Sequence, residues 1–210
     1  MTRTEAVARV AEGVGFRTDL DARIISYLQE AQRDLERGKT LPRFLLLEDQ
    51  TLSLASGAQN VTLPTGFLRE DDNALPRYTP TGATVPYIVK KRGMNEAIEA
   101  YGGATASGPK IYVLRNSTLR FYPTSDRAYT LTWNYYKAAV TLNNDVENLW
   151  LANAPEWLIG EAGVRLAQSL RDQDAAAIFD VIRTAGRAAT FADDIARDLA
   201  GPPISMGSAN

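Results

Sequence analysis

The sequence predicts an α+β protein, in which helices from both ends of the chain form a helical bundle and a β-rich insertion lies between them. Two changes in the spacing of apolar residues predict this fold class. Helical spacing gives way to alternation near Pro42, and it returns near Asn143. The predicted boundaries are residues 1–48 and 141–200 for the helical bundle core, 49–140 for the β-rich insertion and 201–210 for an extended C-terminal tail.

Two helices open the chain. Thr2 and Glu5 have the spacing of a capping box, which predicts the start of the first helix, and Gly13 or Gly15 is predicted to end it. Thr18 is predicted to begin the second helix, and Gly38 is predicted to end it in the left-handed conformation. The predicted buried stripe of the second helix is Ile24, Leu28, Ala31 and Leu35, and the predicted exposed face is Arg23, Gln29, Glu30, Arg33, Asp34 and Glu36.

The middle of the chain carries β-strand patterns. Alternation around Leu52 and Leu54, a turn at Ser56–Gly57 and alternation at Val61 predict a hairpin. Residues 67–82 are predicted to be irregular, and a strand through Tyr87 and a short helix over 94–101 are predicted to follow. Residues 111–135 then predict a three-stranded antiparallel meander, with turns at 116–117 and 123–126.

The C-terminal part is helical again. A single turn is predicted at 148–151, and Asn153 followed by Pro155 predicts the start of a long helix. Gly160 and Gly163 are predicted to lie against another backbone, because glycine inside a helix is otherwise destabilising. A last helix is predicted over about 174–199, with the inward positions Ile178, Ile182, Ala185, Ala189, Ile195 and Leu199.

The composition limits the chemistry that this chain can perform. It contains no His and no Cys, which excludes a Ser-His triad, a cysteine nucleophile, a standard zinc site and any disulfide. The acidic residues at 70–72, 172–174 and 193–194 are interpreted as loop and helix-start residues in preference to metal ligands. The sequence therefore predicts that the protein is not an enzyme and binds no cofactor.

Two groups of residues are candidates for binding. The basic cluster Lys90, Lys91 and Arg92 is predicted to contact a neighbouring subunit, a tail protein or phosphates, and the alternative is a solvated strand end. Aromatic and basic residues also interleave through 112–137, as in a base-stacking platform, but packing in a small sheet explains them more simply. Residues 51–140 carry a net charge of +4 (ten basic and six acidic), and residues 141–210 carry −5 (five basic and ten acidic), which suggests complementary charge between neighbours.

Several short motifs stand at defined places among these elements. The insertion ends in Trp-x-Tyr-Tyr-Lys at 133–137, and Leu-Asn-Asn-Asp follows at 142–145. Asn-x-Trp-Leu at 148–151 and Pro-Glu-x-Leu-Ile at 155–159 are the most specific pair, and Leu-Pro-x-x-Phe-Leu at 63–68 precedes them. Together with the order of elements, these motifs resemble the head-to-tail connector (adaptor) proteins of tailed bacteriophages and related gene-transfer particles.

The resemblance implies a structural component of the virion, at the head–tail interface, that is assembled in the host cytoplasm. Such proteins have a helical-bundle core and form a homo-oligomeric ring, commonly of twelve copies, which joins the portal to the tail and continues the DNA channel. The implied partners are other copies, the portal protein, a downstream tail or tail-terminator protein, and DNA that passes without sequence-specific binding. The resemblance implies no catalytic residue, cofactor or membrane contact.

The C-terminal tail is predicted to bind the portal. Gly201, Pro202 and Pro203 break the preceding helix, and Ile204 and Met206 are the sizeable apolar side chains beyond them. Their spacing places both on one side of an extended segment, which suits docking into a groove of a partner.

Two alternatives come from other functional classes. A ligand- or glycan-binding accessory module of a phage tail would use the aromatic β segment, and a carboxylate-dependent hydrolase would use the acidic residues. Glycan binding by the middle region would support the first, and metal-dependent turnover would support the second.

Overall fold

A computed structural model describes residues 1–72, 74–143 and 147–200, except for the side chains of Thr18 and residues 197–200. The described residues form a mixed α+β structure. The helices are α1 (Arg3–Gly13), α2 (Asp21–Glu36), α3 (Met94–Tyr101), α4 (Leu149–Asn153), α5 (Pro155–Leu170) and α6 (Gln173–Ala200). The strands are β1 (Leu46–Leu54), β2 (Asn60–Thr62), β3 (Phe67–Glu70), β4 (Arg77–Tyr78), β5 (Tyr87–Ile88), β6 (Lys90–Lys91), β7 (Ile111–Arg115), β8 (Thr118–Tyr122) and β9 (Tyr129–Lys137).

Contacts divide the chain into two compact units. Met1–Leu45 and the described residues from Ala139 onward form the helical unit, and Leu46–Ala138 form the β unit. The helical unit is therefore built from two separate stretches of sequence, and the β unit is built from one.

The predicted capping box of α1 is confirmed. The Thr2 hydroxyl accepts a hydrogen bond from the Glu5 N–H at 3.2 Å, and the Glu5 carboxylate accepts one from the Thr2 N–H at 2.8 Å. Gly15 ends this segment in the left-handed region (φ 83°), where its N–H donates to Glu12 O and the next N–H, of Phe16, donates to Ala11 O. Of the two glycines predicted to stop the helix, Gly15 supplies this turn.

Both predicted ends of α2 are wrong. A 3-10 turn over Thr18–Leu20 comes first, so Leu20 is the N-cap and the α-helix begins at Asp21. At the other end, the C-cap Arg37 is right-handed helical and Gly38 does not enter the left-handed region. The N–H groups of Arg37 and Gly38 bond back into the last turn here, so a left-handed residue is not required.

The apolar stripe of α2 is confirmed at Ile24, Leu28 and Ala31, which are buried, while Leu35 is half-buried. The prediction that Glu36 lies on the exposed face is wrong, because it is only 8% exposed. Glu36 is buried because polar groups of the helical unit bond to its carboxylate.

The helices α5 and α6 pack with their backbones unusually close together. A Cβ on Gly160 would lie 2.6 Å from the Arg183 Cα, and a Cβ on Gly186 would lie 2.8 Å from the carbonyl carbon of Glu156. Gly160 therefore lies against another backbone as predicted, whereas Gly163 lies against the Phe179 aromatic ring. Asn153 ends α4, and Ala154 is the N-cap of α5, so the predicted N-cap is wrong.

The predicted inward face of α6 is mostly wrong. Ile178, Ala185, Ala189 and Ile195 are exposed, Ile182 is half-buried, and the Leu199 side chain lies outside the described ones. The buried positions are instead Ala175, Phe179, Gly186 and Thr190. The close approach of α5 explains this rotation, because Gly186 fits against α5 where a residue with a Cβ would clash.

The β unit contains two sheets. One has the order β1-β9-β4-β5, with β3 also paired to β9, and the other has the order β2-β8-β7-β6. The predicted hairpin is wrong, because β1 pairs with β9 and β2 pairs with β8. The segment between β1 and β2 is held by the buried Ser125, whose single hydroxyl proton is shared between the carbonyls of Ala55 (2.6 Å) and Ala58 (2.9 Å).

The predicted meander is half right. Strands β7 and β8 pair antiparallel, but β9 pairs with β1, β3 and β4 and not with β8. The stretch predicted to be irregular contains β3 and β4. The core holds aromatic pairs, including Phe67 on Trp133 and Tyr78 on Tyr129.

Candidate interaction surfaces

The three predicted basic side chains at 90–92 do not form one patch. The Lys91 ammonium forms an ion pair with the Glu70 carboxylate, which also accepts a 2.6 Å hydrogen bond from the Tyr112 hydroxyl. Glu70 and Tyr112 are both buried. Burial and the hydrogen bond to Glu70 raise the pKa of Tyr112 far above its usual value. Lys91 therefore neutralises a buried carboxylate inside the β unit.

Lys90 and Arg92 instead line a surface cavity of about 300 Å³, which we call the basic cavity. Lys110 also lines it, with its ammonium 5.8 Å from the centre of the Tyr101 aromatic ring. The Arg92 guanidinium pairs with Glu96 at 3.3 Å, and no carboxylate of the described residues pairs with Lys90. The remaining lining residues are Tyr87, Glu96, Ala100, Tyr101 and Ile111.

The basic cavity is suited to an anionic group. It offers ammonium groups of Lys90 and Lys110 beside two tyrosine rings, so it could hold a carboxylate or a phosphate. Exposed apolar side chains of the same β unit, Val85, Ile88 and Ile98, are the kind found at protein interfaces. Sequence reasoning found Lys90 and Arg92 but missed Lys110 and Tyr101, which lie nine or more residues away in the chain.

The aromatic residues of 112–137 do not form an exposed platform. Tyr112, Tyr122, Tyr129, Trp133 and Tyr135 are each less than a tenth exposed. They pack in the cores of the β unit, as the simpler interpretation predicted. These five side chains thus offer no stacking face to bases or sugars.

The specific motif at 148–151 has a structural role. The Asn148 side chain caps α4 by accepting hydrogen bonds from the N–H groups of Trp150 (2.9 Å) and Leu151 (3.3 Å), and it donates to Gln32. The buried Trp150 indole donates to Glu36 at 3.0 Å and meets Phe44 and Trp157 edge to face. This motif therefore joins the N-terminal and C-terminal stretches of the helical unit.

Glu36 is the centre of that polar network. Its Oε1 accepts hydrogen bonds from Trp150 Nε1, from the Ala139 N–H and from Gln32 Nε2, each at 3.0 Å. Nothing in the spacing of α2 indicates this role, because its three donors come from α2 itself, α4 and the segment that follows β9.

The outward face of α6 is a long apolar surface of the helical unit. Ile178, Val181 and Ile195 are 58%, 69% and 60% exposed. We call this face the α6 seam. Its exposed members are Ala177, Ile178, Val181, Thr184, Ala185, Ala188, Ala189, Ala192, Ile195 and Ala196.

Besides Glu70, two of the candidate acidic residues have structural partners. The Asp172 carboxylate accepts a hydrogen bond from the Ala175 N–H at the start of α6, and the Asp194 carboxylate accepts one from the Arg43 N–H. Among the described residues, no group of three or more acidic side chains could hold a metal ion. None of the described helices is long and apolar enough to cross a membrane.

The predicted portal-binding residues Ile204 and Met206 lie outside the described residues. Their role therefore remains a prediction.

Two comparisons with known proteins bear on the whole chain. A family model described as SU10 adaptor protein matches residues 1–205. A search of curated proteins finds no match.

Proposed function

Because the chain belongs to the SU10 adaptor protein family, we propose that it joins the portal to the tail in a phage virion. In this proposal the chain forms an oligomeric ring, with twelve copies expected, beneath the portal. DNA passes through the centre of the ring without sequence-specific binding, and a tail or tail-terminator protein docks on the far side. The observation that carries the proposal is the family match over residues 1–205.

The surfaces described above support this proposal. A ring subunit contacts several neighbours at once, so it needs separate binding surfaces. The α6 seam on the helical unit is apolar, and the basic cavity on the β unit is positively charged. The opposite net charges of residues 51–140 and 141–210 also favour contacts between unlike surfaces of neighbouring copies.

Imaging of virions tests the position of the chain. Phage that carry an epitope-tagged copy are purified and labelled with antibody fragments against the tag. We expect label at the neck, between portal and tail, and density of an oligomeric ring there. Label at the tail tip or along the tail tube would contradict the proposal.

A deletion of the gene gives an independent test. Without an adaptor, we expect heads that contain portal and DNA but have no attached tail. Supplying the wild-type chain from a plasmid restores attachment. Tailed particles of normal yield in the deletion strain would contradict the proposed position.

We also propose that residues 201–210 bind the portal through Ile204 and Met206. Removing these residues is expected to leave the melting temperature of the free subunit unchanged and to weaken co-sedimentation with portal protein. The double variant Ile204→Asp and Met206→Asp is expected to act like the deletion, because burial of a carboxylate in an apolar groove is costly. Ser205→Asp and Ser208→Asp are matched controls that add the same charge without removing an apolar contact. Full portal binding by the truncated chain would refute this role.

A further inference from the structure

We propose that the α6 seam packs against a helix of a second copy of this chain. The inference rests on the proposed oligomeric ring and names the surface by which one copy contacts the next. In such a ring the two contacting surfaces of each copy differ, so the seam meets a different part of the neighbouring helical unit.

The spacing of the seam is that of a helix-packing surface. Ile178, Val181, Ala185, Ala188, Ala192 and Ile195 follow each other at intervals of three, four, three, four and three residues. Alternating intervals of three and four residues keep one stripe facing a partner helix that crosses at a shallow angle. All six residues are exposed, and the opposite face of α6 packs on α5.

The side chains of the seam favour close approach of another helix. Between its bulkier ends the seam consists of Thr184 and four alanines, Ala185, Ala188, Ala189 and Ala192, whose short side chains let backbones come near. No charged residue lies among the ten members of the seam from Ala177 to Ala196. Asp180 and Arg183 of α6 form an ion pair with each other at the side of the seam.

A lipid surface fits the seam poorly. Helices that lie on membranes carry Lys or Arg on the polar face and large apolar residues on the other. Here the polar side of α6 mixes Asp180, Asp193 and Asp194 with Arg183 and Arg187, and the apolar side is mostly alanine.

The size of the seam favours a repeated contact between copies. From Ile178 to Ile195 it is about 26 Å long, and at the width of one helix it covers about 300 Å². A stable pair of proteins buries about 800 Å² on each partner, so one seam is too small to hold an isolated pair. In a closed oligomeric ring every copy is held on two sides, and the same contact recurs around the ring.

Photo-crosslinking identifies the occupant of the seam. Because the chain has no Cys, Ala188→Cys provides a single attachment point for a maleimide–benzophenone probe. The labelled full-length chain is assembled on portal protein, irradiated and mapped by mass spectrometry. We expect a covalent pair of chains, joined from residue 188 to a different position of the helical unit.

The matched control is Asp180→Cys, which carries the same probe on the polar side of α6 and is expected to give at least about tenfold less of this product. Crosslinks from residue 188 only to residues 201–210 of the same chain, or only to portal protein, would overturn the inference.

Charge substitutions give the second test. Val181→Lys with Ala188→Lys places charges in the seam and is expected to lower the yield of assembled rings at least about tenfold. Asp180→Lys, one residue from Val181 on the polar side, is expected to assemble like the wild type. Circular dichroism and the melting temperature of the free subunit check that each variant is folded.

Different results would refute the seam contact and the adaptor function. If the seam variants form rings with the wild-type yield, the seam is not the contact, and the adaptor role stands. If the wild-type chain forms no ring with portal protein, the proposed function fails, and the seam contact fails with it.

Discussion

At the scale of single residues, Glu36 has the largest expected effect on the helical unit. Its carboxylate accepts three hydrogen bonds in a buried site. Glu36→Leu leaves the Trp150 and Ala139 N–H groups without an acceptor, and we expect it to lower the free energy of unfolding by about 3 kcal/mol. Urea unfolding measures this change.

Glu36→Gln is the matched control. It retains one acceptor oxygen at nearly the same position, so its loss of stability should be clearly smaller. A Glu36→Leu variant as stable as Glu36→Gln would show that the network contributes little.

Tyr78 gives the β unit a pH dependence at the alkaline end. Burial, followed by the nearby Tyr129 and Tyr87, raises the pKa of Tyr78 from 10.0 to about 12. As the pH rises above 10, the unfolded chain ionises first, so the free energy of unfolding is expected to fall between about pH 10 and pH 12.

Tyr78→Phe removes a titrating group whose pKa differs between the folded and the unfolded chain. We expect the free energy of unfolding of this variant to fall less steeply over the same pH range, as measured by urea unfolding at several pH values. An unchanged slope would show that Tyr78 ionises equally in the folded and unfolded chains.

At the scale of elements, the crossing of α5 and α6 depends on glycine. Gly160→Ala would place a Cβ 2.6 Å from the Arg183 Cα. This distance is too short, so the backbones of α5 and α6 must move apart. Even after the gain in helix propensity, we expect the free energy of unfolding to fall by about 2 kcal/mol.

Gly103→Ala is the control for this substitution, because a Cβ there meets open space and its φ is not left-handed. We expect a change within about 0.5 kcal/mol, measured in the same urea titration. If Gly160→Ala is equally harmless, the helices can separate at no cost.

Elements with local signals were predictable, and elements fixed by distant partners were not. The capping box of α1 and the β7–β8 hairpin rest on residues close in sequence, and both were predicted. The strands β1 and β2 also look like a hairpin locally, but β1 pairs with β9 and β2 pairs with β8, and both partners lie more than fifty residues further on. The face of α6 was mispredicted because size outweighs hydrophobicity where helices nearly touch, and Gly186 fits there.

For the molecule as a whole, the sequence motifs predicted the family. They predicted the interaction surfaces only in part. The resemblance to phage adaptor proteins is confirmed by the family match. Of the predicted basic cluster, Lys91 is used inside the β unit, whereas Lys90 and Arg92 line the basic cavity. No spacing rule could show this, since Glu70 and Lys110 come from other parts of the chain.

The β unit is one continuous stretch of sequence, so we predict that it folds by itself. A fragment of residues 46–138 contains both sheets and their buried aromatic core. We expect a cooperative urea transition with a slope of about 1–3 kcal/mol/M. The fragment of residues 1–45 is the control and should remain unfolded, because α5 and α6 are absent. A gradual transition of the 46–138 fragment would show that it depends on the rest of the chain.

The pairing of β1 with β9 also affects the entropy cost of inserting the β unit into the sequence of the helical unit. An unstructured insertion imposes a loop-closure entropy that rises by about 0.6 kcal/mol with each doubling of its length. Here Leu46 lies opposite Tyr136, so the first and last strands of the β unit hold its two ends side by side. The folded β unit therefore links α2 and α4 with the loop-closure entropy of a short connection, whatever number of residues it contains. The distant loops of the β unit can lengthen or change sequence without making the helical unit harder to close.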